Sequence, residues 1–154
     1  MEKPEARAWI FAGSESDLPK MGECRELLES FGVRCATVVA SAHRTPQKVL
    51  ENVKNAEASG ADVIIAGAGM SAALPGVIAA HTDLPVIGVP LDSGMPGGID
   101  ALLSIVQMPT GIPVACVSVG GARNAAVLAA RILAIKYPHV RRKLREYRKE
   151  LARG

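Results

Sequence analysis

The stretch Val33-Arg34-Cys35-Ala36-Thr37-Val38-Val39-Ala40-Ser41-Ala42-His43-Arg44-Thr45-Pro46 decides the fold. Its β-branched and small apolar residues suit a pleated surface, so residues 33–40 are predicted to be a strand. Pro46 suits the first turn of a helix, where a backbone N–H has no partner to lose, and residues 45–59 are predicted to be that helix. A strand that runs directly into a helix is half of a βαβ unit, so the neighbouring segments should repeat the pattern.

They repeat it in both directions. Apolar runs at 8–12, 61–66, 85–89 and 113–119 read as strands. Residues 18–31, 71–81, 98–107 and 122–135 read as helices, and Gly32 and Gly60 stop two of the helices. Five strands separated by helices predict an α/β fold, a three-layer sandwich around a five-stranded parallel sheet, with the flavodoxin-like order 2-1-3-4-5 favoured. No repeat, linker or low-complexity segment interrupts the 154 residues, and 1–154 reads as one domain.

Composition narrows the function. Hydrophobic residues make up 49% and aromatics only 3%, so the core must be built from Ala, Val, Ile and Leu, as parallel sheets are. So few aromatics argue against a protein that stacks nucleic-acid bases. Seven of the Lys and Arg residues and two Glu fall between Pro138 and Gly154, so that segment is strongly basic while the rest of the chain is mildly acidic. Val140, Leu144, Tyr147 and Leu151 recur there at helical spacing, predicting an amphipathic helix over 138–154 whose apolar stripe docks on the body or on a partner subunit. No role with nucleic acid or membrane is expected of it. The cysteines Cys24, Cys35 and Cys116 are odd in number and widely spaced, which predicts buried free thiols in a reducing compartment. Met1-Glu2-Lys3-Pro4-Glu5 has no apolar run like a signal peptide, and no segment approaches the roughly 20 apolar residues that span a bilayer, so a cytoplasmic protein is expected.

In a parallel sheet every strand exits on one edge, where ligands of such folds bind. The first exit carries Gly13-Ser14-Glu15-Ser16-Asp17: either a phosphate or sugar cradle, or a set of helix N-caps. The second carries Ser41 to Pro46, with a proton-transfer group, His43, beside a permanent cation, Arg44. The third carries Gly67-Ala68-Gly69, which is not a dinucleotide fingerprint and reads either as bare backbone for a flat ring or as a tight turn. The fourth runs from Pro90 to Gly98. These groups are expected to converge in space. His81 should face the opposite edge, and no pair among His43, His81 and His139 has metal-ligand spacing, so no metal is expected.

Taken together, these segments resemble the PurE family of purine biosynthesis. The likeness rests on Gly13 to Asp17, Ser41 to Pro46, Ala66-Gly67-Ala68-Gly69, Leu74-Pro75-Gly76, Pro85 to Pro90, Ser104-Ile105-Val106-Gln107-Met108-Pro109 and Asn124-Ala125-Ala126, and spans about residues 8–137. The family's members are N5-carboxyaminoimidazole ribonucleotide mutases or aminoimidazole ribonucleotide carboxylases. The resemblance implies a flavodoxin-like homo-octamer with active sites at subunit contacts, needing no cofactor. It implies His43 as general acid/base, Arg44 on the phosphate, Asp17 on the ribose and Ser14 on the ribonucleotide. Ser16, Ser41, Gly67, Gly69 and Leu74 would line the pocket, and Gln107-Met108-Pro109 would help close it. Most mutases of the family have a His before Leu-Pro-Gly, where this chain has Ala73, so a carboxylase using CO2 directly is the alternative. The carboxylases usually have Lys at the position of Arg44, which favours the mutase. A non-catalytic nucleotide-binding module of the same fold is the alternative of another class. Its flavin-binding form would need aromatics in the exit loops, and Trp9, Phe11, Phe31, Tyr137 and Tyr147 lie elsewhere.

Overall fold

The computed structural model describes residues 5–154; the segment read as lacking a signal peptide lies, up to Pro4, outside them. The strands are β1 (Arg7–Ala12), β2 (Arg34–Val39), β3 (Val63–Gly69), β4 (Val86–Leu91) and β5 (Ala115–Cys116). The helices are α1 (Leu18–Ser30), α2 (Pro46–Ala58), α3 (Leu74–Ala79), α4 (Ile99–Val106), α5 (Ala122–Lys136) and α6 (Pro138–Leu151). The sheet order is β2-β1-β3-β4-β5 and every pairing is parallel, as the sequence predicts.

Side chains of a strand alternate between faces, so a sheet buried on both faces needs continuous apolar runs. β3 and β4 are of that kind. Ile65, Ile87 and Val89 enter one core with Ile10 of β1, beneath α1, α5 and α6. Ile64, Ala66 and Val86 enter the other with Phe11, beneath α2, α3 and α4. Fully burying each such Ile or Val contributes roughly 1.5–3 kcal/mol. α5 buries an alanine face, Ala122, Ala125, Ala126, Ala129 and Ala130, which lets it lie close against α1 and the sheet.

The C-terminal segment forms the predicted amphipathic helix and docks on the body. Val140 and Leu144 are buried, and Tyr147 meets Phe31 edge-on at 5.4 Å between ring centroids. Asp62 holds the α5–α6 junction, accepting from Lys136 Nζ at 2.9 Å and from the Tyr137 hydroxyl at 2.8 Å. Leu151 is exposed, so the apolar stripe stops a turn short of the prediction.

Several boundaries differ from the prediction, three of them most clearly. β3 runs on through Gly67, Ala68 and Gly69, which pair with Val89, Pro90 and Leu91. The exit glycines are therefore strand residues, not a turn. The fifth strand contracts to Ala115–Cys116 on the sheet edge, where it has one neighbour to bond. α3 begins at Leu74 rather than 71, because the chain first makes a turn with Met70 at φ 54° and an Ala72 N–H bonded to the Met70 carbonyl. The three cysteines are free, but only Cys24 is buried; Cys35 and Cys116 are half-buried on the edge strands. Burial pushes the Cys24 and Cys35 thiols up to about 12. Among the described residues no helix is long and apolar enough to cross a membrane.

Candidate active site

The sheet order reverses direction between β1 and β3, and a crevice opens there at the carboxyl ends of the strands. It forms a cavity of about 570 Å³. Ser14, Ser16 and Asp17 come to it from the β1 exit, Ser41, His43 and Arg44 from the β2 exit, Gly69 from the end of β3, and Leu74 from the start of α3. The predicted convergence of distant segments is thus present in a single subunit.

Each exit is shaped by its own polar groups. The Gly13 N–H donates to the Gly67 carbonyl at 3.0 Å and ties the first turn to β3. Ser14 donates to Asp17 Oδ2 at 3.0 Å, and the Ser14 and Ser16 hydroxyls are 2.7 Å apart. Neither Ser14 nor Asp17 bonds a helix N–H as a side-chain cap. This removes the capping alternative and leaves a hydroxyl–carboxylate cluster whose carboxylate is largely buried. Such a cluster accepts and donates to a sugar's hydroxyls.

The second exit is a clasp. Ser41 N–H donates to Thr45 Oγ1 at 2.9 Å, and the Thr45 N–H returns to the Ser41 carbonyl at 2.9 Å. Ser41 Oγ accepts from the Arg44 N–H at 3.1 Å and from Arg44 Nε at 3.4 Å, which orients the guanidinium. None of the ion pairs among the described residues involves Arg44, so its outer nitrogens are open to an anion. His43 is an exposed residue on the cavity wall.

Gly67 does not line the cavity; it serves through its carbonyl and its size. A Cβ at Gly67 would overlap the Met21 side chain, and one at Gly69 would overlap Ser93 Oγ. Ser93, Met70, Ser71 and Ala42 also line the cavity; they belong to the exit segments, but sequence reading assigns none of them a role. Serines in glycine-rich loops carry no periodic signal, and only the positive φ of Met70 marks that turn as unusual. Ala73 lies on the wall directly before Leu74. No group of three or more metal-ligating side chains is assembled among the described residues.

An imidazole, a guanidinium free of ion pairs among the described residues and a serine–aspartate turn at the switch point of a parallel sheet make an α/β site suited to a small anionic ligand. The comparisons place it further. The family model described as AIR carboxylase matches residues 7–154. The chain is 54% identical over 153 residues to N5-carboxyaminoimidazole ribonucleotide mutase of Pyrococcus horikoshii, covering 99% of this chain and 86% of that protein. It is 52% identical over 147 residues to the protein of the same name from Thermotoga maritima, covering 96% and 86%. The crystal structure of Treponema denticola PurE superposes with a TM-score of 0.84 at 30% identity, covering 97% of this chain and 93% of that one. This chain belongs to the AIR carboxylase (PurE) family.

Proposed function

We propose that the chain is an N5-carboxyaminoimidazole ribonucleotide mutase that moves a carboxyl group from the exocyclic nitrogen to carbon 4 of the ring, in purine biosynthesis. The observation that carries this reading is the meeting of His43, Arg44 and the Ser14–Asp17 turn in one cavity, in a chain about half identical to proteins of that name.

Arg44 takes the phosphate, in a charge-assisted contact worth roughly 1.5–3 kcal/mol. Asp17 and Ser14 take the ribose hydroxyls. His43 protonates the carbamate nitrogen; the N–C bond breaks, its electron pair stays on nitrogen, and CO2 is released into the cavity. Carbon 4 of the ring then forms a bond to CO2, and the proton it carried passes back to His43. The acid of the first half is the base of the second, so protons balance and no cofactor is needed. Holding CO2 beside carbon 4 and keeping water out supply much of the acceleration.

The finer readings rest on the same footing. Residues 1–154 act as a single domain in a cytoplasmic homo-octamer. The outer face of α4 supports assembly, with Ile99, Leu103 and Val106 each close to half exposed at helical spacing. Light scattering of the purified protein measures the subunit count. A second reading, direct carboxylation of the uncarboxylated ribonucleotide by CO2, is favoured by one observation: the cavity wall has Ala73 where the family's mutases usually have His.

The deciding experiment supplies either the N-carboxylated ribonucleotide or the uncarboxylated one with CO2. The mutase converts the first at low concentration and is indifferent to added CO2. Turnover of only the second would replace the mutase by the carboxylase, and turnover of neither would remove both.

A further inference from the structure

The β4 exit sends one residue into the cavity, Ser93, and the surrounding loop is built to hold it there. Gly97 and Gly98 have φ of 78° and 66°, a conformation that other residues rarely adopt. Asp100, at the first turn of α4, folds back on the loop: Oδ2 accepts the Met95 N–H at 3.0 Å and Oδ1 accepts the Ala101 N–H at 2.9 Å. The Met95 N–H holds the Asp100 carboxyl below the usual carboxylate range. A Cβ on Gly94 would overlap Asp100 Oδ2 and crowd Met70 Cγ at 3.1 Å. The far end of the loop is fixed as well, since a Cβ on Gly98 would come within 2.7 Å of Val119 Cγ1. The exposed Ser93 hydroxyl lies beside the bare backbone of Gly69, while Asp100 itself stays off the cavity wall.

Resting on the mutase reading, we propose that Ser93 contacts the substrate by donating its hydroxyl hydrogen to the carboxylate carried by the aminoimidazole, and that Asp100 is a positioning residue acting through Ser93. The chemistry follows from the neighbours. Arg44, at the β2 exit, is committed to the phosphate. Ser93 Oγ fills the space that a Gly69 side chain would take, so a hydroxyl donor stands on the cavity wall, where it meets the substituents of a ring held there. The ring's anionic substituent is the carboxylate, and a hydroxyl can follow it from nitrogen to carbon 4 without a charge that would hold it back.

The test compares two ligands on the full-length protein. Calorimetry measures binding of the ribonucleotide with and without its carboxylate to the wild type, Ser93→Ala and Asp100→Asn, and kinetics measure kcat/KM. Loss of a hydrogen bond to a charged group predicts a roughly 10-fold to 100-fold drop in kcat/KM for Ser93→Ala, with affinity for the uncarboxylated ribonucleotide within about twofold of wild type. Asp100→Asn should lose in the same direction by less, and the double variant should be no worse than Ser93→Ala alone. Wild-type kcat/KM in Ser93→Ala, or equal loss for both ribonucleotides, overturns the assignment of Ser93. Losses that multiply in the double variant overturn the role of Asp100. If the wild type binds both ribonucleotides but turns over neither, the mutase reading fails while the binding comparison still decides Ser93.

Discussion

Two histidines sit at opposite edges of the same sheet, and they are treated differently. His43 stands in the clasp after β2, on the wall of the cavity, next to a guanidinium that has no ion-pair partner among the described residues. His81 stands after α3, beside a second cleft of about 610 Å³ that also takes in Glu57 and Asp83. Its Nδ1 is spent on the Val77 carbonyl of the helix before it, at 2.8 Å. Glu57 is likewise occupied, accepting from the Thr82 hydroxyl at 2.6 Å. The difference follows from the direction of the elements. In a parallel sheet the carboxyl edge gathers helix N-termini, whose free N–H groups favour anions; the other edge gathers helix C-termini, whose spare carbonyls absorb nearby donors. One edge is left open for a ligand and the other satisfies itself.

The comparison can be broken first at His43. His43→Asn removes the proton carrier and should lower kcat by about 10²–10⁴-fold while ribonucleotide binding is kept, as steady-state kinetics with calorimetry would read. Near-normal turnover would take the proton role away from this edge. Arg44→Ala comes next: about 10-fold to 100-fold weaker binding of the phosphorylated ligand with a smaller change in kcat, the signature of an anchor. An unchanged affinity would mean that the phosphate is held elsewhere. Gly67→Ala tests the packing under the site. The new methyl must displace Met21, at a cost of about 1–3 kcal/mol, a fall in Tm of several degrees by calorimetry. The smallest effect is expected at the other edge. His81→Asn should leave kcat/KM within about twofold and stability within roughly 0.5 kcal/mol, as surface changes usually do. A large kinetic effect there would make the second cleft functional and dissolve the contrast.

Much of this was legible in the chain. The apolar runs of β3 and β4, the glycine stops and the proline at the start of α2 fix element type by local chemistry, and their alternation fixes the fold class. His43, Arg44, Ser14 and Asp17 stood out because charged and titratable residues are unusual at the ends of apolar strands. Gly67 shows where local reading stops. A glycine in sequence looks like a turn; here its meaning lies in Met21, far back along the chain, and in the Gly13 N–H that its carbonyl accepts. Sequence reading brings the whole fourth exit to the site without singling out Ser93, because its place beside Gly69 leaves no periodic mark.

The sequence by itself determined the alternation of strands and helices, the two-sided apolar core and the candidate groups at each strand end, because these depend on propensity and on hydrophobic period. Tertiary structure alone decided that Ser14 and Asp17 bond each other instead of capping a helix, that the glycines of β3 stay in the sheet, and that Ser93 reaches the cavity. Those outcomes turn on hydrogen bonds and van der Waals contacts between residues distant along the chain, and such contacts exist only once the sheet has brought the strand ends together.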